Sequence, residues 1–121
     1  MPREMSLTST RPLTLETLVA AGAAVDGSLV PRSLFEGWAL QLVRAEPGEP
    51  AVAVLTVELS RQIADRGDLE RLTGPVPIPL GAEVWFTEAT APWGPAGETG
   101  VAIVRQLGAL LGARVIVEDG T

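Results

Sequence analysis

Glu58 and Glu88 each close an apolar, strand-like run. A pair of carboxylates is the minimum equipment for acid and base work on a glycosidic bond, provided that the two converge in a cleft. Glu58, Glu83 or Glu88 gathered in a pocket with Arg44 or Arg114 could serve a small-ligand or carboxylate-dependent enzyme. The plainer reading is that each Glu marks where a strand leaves the core. Asp65-Arg66-Gly67-Asp68-Leu69-Glu70 offers three carboxylates within six residues, the oxygen donors that hard cations accept. The segment lacks the alternation of a calcium loop, and Arg66 opposes a cation at its centre. It reads as a solvated helix face with an internal cap.

Gly94-x-x-Gly97-x-x-Gly100 precedes a helical pattern. Backbone N–H groups at such a start can hold an anion. A phosphate loop of the Walker type needs a Lys, and the dinucleotide fingerprint needs a different spacing. Glu98 would also repel the anion. The motif therefore reads as a flexible loop whose acidic first turn suits the helix dipole.

The residue types that are missing narrow the chemistry further. All nine basic residues are Arg, against fifteen acidic residues and a formal charge of −6; the chain has no Lys, His, Cys, Tyr or Asn. Thiolate and imidazole catalysis, a Schiff-base lysine and a Cys/His metal site are excluded. Ser28, Ser33 and Ser60 have no His or Lys to activate them. No cofactor is expected. Lys, Asn and Tyr use AT-rich codons, so their absence points to a GC-rich bacterial genome. His and Cys have GC-rich codons, and it is their absence that weighs against an enzyme.

Net acidity with scattered Arg disfavours nucleic acid, which needs clustered cations. It disfavours an anionic membrane surface in the same way. A basic protein partner suits the field. Mean hydropathy is +0.27, yet the longest apolar run is Ala51 to Leu55, far short of the roughly 20 residues of a membrane span. Arg3 and Arg11 before an Ala-rich stretch faintly imitate a signal peptide, but Glu16 and Thr17 interrupt it. The expected location is the cytoplasm.

Positioning these residues requires a scaffold. Residues 1–12 are polar and Pro-bounded and predict a mobile arm, with 13–121 forming one domain. Thr14 opens a helix with Leu15, Leu18, Val19 and Ala23 on one face, ended by Gly27. Phe35 to Arg44 and Ala51 to Glu58 predict an antiparallel hairpin across a Pro/Gly loop. Ser60 is the expected N-cap of a helix to about Leu72, weakened at Gly67. Gly74 to Pro79 must run extended. Ala82 to Thr90 is a third strand. A helix starts at Glu98 or Thr99 with Val101, Val104, Leu107 and Leu111 in register, and Gly112 caps it. Arg114 to Glu118 closes as a fourth strand. The expected fold is α+β in the order α-β-β-α-β-α-β, with a mixed four-stranded sheet and helices packed on one face.

Trp38 and Trp85 fall within strands and read as core. Trp93 sits in a rigid loop between Pro92 and Gly94, where it could serve as a binding anchor or fold down as a lid. Pro92, Trp93, Glu88, Glu98 and Arg105 are the candidate partner-binding residues. In size, acidity and order of elements, with its Trp93-Gly94-Pro95 loop before the last helix, the chain resembles the small acidic α+β immunity proteins of bacterial toxin systems. The resemblance implies an immunity-like or chaperone-like factor. The reading is a non-enzymatic acidic protein-binding domain, acting through an apolar sheet face and the Trp93 loop on a protein partner or as a homodimer. The alternatives are the carboxylate-dependent enzyme above and a structural subunit of a phage or secretion assembly.

Overall fold

The computed structural model describes residues 2–45 and 47–118. The class is α+β, as expected, but the sheet is larger than four strands and every ladder in it is antiparallel. The strands are β1 (Arg3–Ser9), β2 (Leu29–Leu34), β3 (Ala39–Arg44), β4 (Val52–Glu58), β5 (Arg61–Gln62), β6 (Trp85–Ala91) and β7 (Arg114–Val117). Their order is β2-β3-β4-β6-β1-β7, and β5 also pairs with β6. The helices are α1 (Leu15–Val25), α2 (Arg66–Thr73) and α3 (Pro95–Leu111).

The segment read as a mobile arm is β1, which lies between β6 and β7. Met5 and Leu7 are buried at period 2, and Thr8 and Ser9 are buried with them. So polar a strand shows little apolar alternation in sequence, and its place comes from ladders on both sides. β6, α3 and β7 make the anticipated crossover, with β1 inserted between the two parallel strands. This insertion is why the expected mixed sheet is antiparallel throughout.

Alternation divides the sheet into two faces. Met5, Leu7, Leu55, Val57, Ala89 and Ala91 point to the layer of α1 and α3, where Leu18, Ile103, Val104 and Leu107 complete the main core. Each fully buried Leu or Ile there contributes roughly 1.5–3 kcal/mol. Thr14 caps α1 as read, its side chain accepting from the Thr17 N–H. α3 begins at Pro95, earlier than expected, because proline suits the first helical position. A Cβ at Gly97 would strike the Pro92 carbonyl, and one at Gly100 the Val54 carbonyl. Gly94 is therefore the cap, while Gly97 and Gly100 lie within the helix rather than in a loop and seat α3 on the sheet.

The opposite face is covered only at one end, so the helices do not all pack on one side. There Leu69 of α2 joins Val76, Ile78 and Val84 on Phe86 as a second, smaller core. Ser60 does not start this helix. The chain first continues as β5, and Asp65 caps α2 by accepting from the Asp68 N–H. Two arginines fasten the proline stretch that follows. Arg66 donates to the carbonyls of Val76 and Pro79, and Arg114 to the Pro75 carbonyl and the Thr73 hydroxyl.

Candidate functional site

Among the described residues, nothing covers the rest of that second face. Thr56 pairs with Thr90 and Val57 with Ala89, so the next step along the ladder sets Glu58 opposite Glu88. Ser6 lies beside Glu88 on one side, and Ile116 lies beside Ser6. Ala39 lies beside Glu58 on the other. A single cross-strand row therefore runs Ile116, Ser6, Glu88, Glu58, Ala39. The neighbouring row is polar: Arg32 donates to the Gln41 side-chain carbonyl, and the Gln41 amide donates to the Thr56 hydroxyl at 3.0 Å.

The first row, with Thr56 and Thr90 beside it, floors a cleft of about 800 Å³. One wall is the tip of the β2–β3 hairpin, Phe35 to Trp38; another is the Leu59-Ser60-Arg61 bend between β4 and β5. Phe35 is 75% exposed and Trp38 71%. The tip holds Phe35 at φ 51° and Glu36 at φ 56°, followed by Gly37 at φ 95°. Left-handed backbone at two non-glycine residues, one of them bulky, stores strain. Trp38 N–H donates to the Phe35 carbonyl, and Leu59 N–H to the Trp38 carbonyl, which fastens the tip to the bend.

Acid dominates the cleft. Four carboxylates line it (Glu4, Glu58, Glu88 and Glu118) against one guanidinium, that of Arg61. Glu118 accepts from the Glu4 N–H at 2.8 Å. Arg61 approaches Glu88 at 3.8 Å and lies over the Phe86 ring. The Glu88 carboxyl is held above its ordinary pKa, first by partial withdrawal from water and then by a hydrogen bond to Glu58 that requires a proton; Arg61 opposes the rise. Among the described residues, no three carboxylates come together closely enough to hold a metal ion.

The sequence candidates divide. Glu88 lies in the cleft, and Glu58, weighed for the enzyme reading, faces it. Pro92 and Trp93 line a smaller depression that shares Thr56 and Thr90 with the cleft. Trp93 is 45% exposed, with the Arg3 guanidinium 5.2 Å above its ring. Glu98 lies in the first turn of α3, paired with Arg3 at 3.0 Å. Arg105 is exposed farther along α3. Neither Glu98 nor Arg105 lines the cleft. Glu83 accepts from Gln62, Arg44 pairs with Asp26 and Arg114 clamps the proline stretch, so the enzyme set weighed above does not assemble. Trp38, read as core, is a wall of the cleft. Phe35, Arg61, Glu4, Ile116 and Glu118 were not singled out from sequence. The available signal was Phe35-Glu36-Gly37-Trp38, a glycine among bulky residues that marks a turn inside a supposed strand.

Comparison of the chain with protein family models, with curated proteins and with solved structures finds no match. Among the described residues, no helix is long and apolar enough to cross a membrane.

Proposed function

We propose that the chain is a non-enzymatic protein-binding domain whose contact surface is the bare sheet face, with the Trp93 depression at its flank. One observation carries this reading. A strained turn holds two large aromatic side chains in water at the mouth of a cleft. Exposing Phe and Trp forgoes burial energy, and backbone strain adds to the cost. Clustered aromatics beside a polar rim are the usual anchors of protein interfaces.

The Glu58–Glu88 pair favours a second reading, the carboxylate-dependent enzyme. Their position directly opposite each other on adjacent strands opposes it, because glycosidic chemistry places the substrate between two carboxyls that face each other across a cleft, roughly 5 Å or more apart.

Photo-crosslinking tests the first reading. A photoreactive phenylalanine analogue replaces Phe35 in one variant and Arg105, on the α3 surface, in another. The expected result is one discrete adduct at position 35, to a partner or to a second copy of the chain, and none at position 105. Adducts at position 105 alone, or none at either, would remove the bare face from consideration.

A further inference from the structure

We propose that the occupant of the bare face is a basic, amphipathic polypeptide segment, its cationic side chains over the Glu58–Glu88 row and its apolar ones against Phe35 and Trp38. This rests on the protein-binding reading above and adds the chemistry of the partner.

Charge complementarity is the first support. Outside the cleft four carboxylates pair with arginine, Glu98 with Arg3, Asp26 with Arg44, Glu70 with Arg66 and Asp68 with Arg71, and the cleft is where four others come together. In the cleft four carboxylates share one guanidinium, and its closest approach is 3.8 Å between two well-exposed side chains. Like charges directly opposed across strands destabilise a sheet. A cation seated over Glu58 and Glu88 would relieve that opposition.

The second support is how this chain treats its own arginines. Arg3 stacks over Trp93 and Arg61 over Phe86, each beside a carboxylate. Guanidinium on an aromatic face with an acid alongside is a favourable arrangement. Trp38 stands in the same cleft as Glu58 and Glu88 with its ring exposed and, among the described residues, no arginine stacked on it. A basic segment would repeat the arrangement there. Nucleic acid and anionic lipid are negative like this surface and are repelled by it.

The test uses the full chain and two fluorescent peptides of about ten residues, one alternating Arg and Leu, the other Glu and Leu, with binding followed by anisotropy near neutral pH. The chain should bind the Arg–Leu peptide and not the Glu–Leu peptide. Glu58→Gln with Glu88→Gln should weaken binding by roughly tenfold or more, as should Phe35→Ser with Trp38→Ser, while circular dichroism of both variants stays that of the parent. Added salt should weaken the parent's binding. If both peptides bind equally and only the aromatic variant loses them, the protein-binding reading stands and the cationic partner is wrong. If neither peptide binds, the cationic partner is wrong as well. If the Arg–Leu peptide binds unchanged to both variants, the cleft is not the surface and both readings fall.

Discussion

Glu58 and Glu88 oppose each other with one guanidinium nearby, and the consequence is a pH dependence of known sign. Glu88 titrates above its ordinary range in the folded chain. Between the ordinary and raised values the folded state binds more protons than the unfolded one, so stability falls as pH rises through that window. The contribution is complete below the ordinary value and gone above the raised one. Glu88→Gln should flatten this slope and raise stability near neutral pH by a few tenths of a kcal/mol, the scale of an exposed cross-strand pair. Urea unfolding at about pH 4 and pH 7 measures both effects, and an unchanged slope would refute the pairing. Asp26 runs the other way. The Ser28 hydroxyl and then the Ser28 N–H, at 2.7 and 2.9 Å, lower its pKa from 3.8 to about 2, and Arg44 adds to the effect. Its stabilisation is present above 3.8 and is lost as pH falls toward 2. Ser28→Ala should move its titration midpoint up toward the ordinary value, read by NMR of the side-chain carboxyl. A midpoint that stays near 2 would assign the shift to the Ser28 N–H and Arg44 instead.

At the scale of elements, α3 and the hairpin tip each carry a glycine that sequence signals only half explain. Gly100→Ala should destabilise by about 1–3 kcal/mol, the usual cost of overpacking, because the added methyl meets the Val54 carbonyl. Thermal unfolding checks this, and a neutral effect would mean that α3 sits farther from the sheet. At the tip, Glu36→Gly should stabilise by about 0.5 kcal/mol, the left-handed strain relieved less the entropy that glycine adds to the unfolded chain. The hairpin of β3 and β4, the helical run Val101 to Leu111 and the Thr14 cap were legible because periodicity and capping act locally. β2 was not, because Pro31 breaks the pattern and four of its six residues are exposed. An edge strand tolerates both features. Trp38 was read as core for the same reason: period-2 spacing does not reveal that a four-residue tip interrupts the run.

At the scale of the whole molecule, β1 decides whether the sheet exists. A mobile arm could be deleted without consequence. Removing residues 2–9 should instead abolish cooperative unfolding, because the strand between β6 and β7 is gone and Met5 and Leu7 leave the core. Calorimetry shows this as a lost transition, and an intact transition would contradict the topology. Long-range pairing of so polar a segment leaves little local trace, which is why sequence conveyed the α+β class but not the strand order. It conveyed Glu58 and Glu88 as individual residues but not their meeting, since the β4–β6 pairing that joins them spans some thirty positions of chain.

The three tryptophans report on three places: Trp38 on the cleft wall, Trp93 at its flank, and Trp85 on β6 with its side chain toward the α1 and α3 layer. Indole N–H resonances followed while the Arg–Leu peptide is added test the central claim most directly. A large, saturable shift is expected for Trp38, a smaller one for Trp93 and none for Trp85. A Trp38 resonance that stays still while the peptide binds would contradict it.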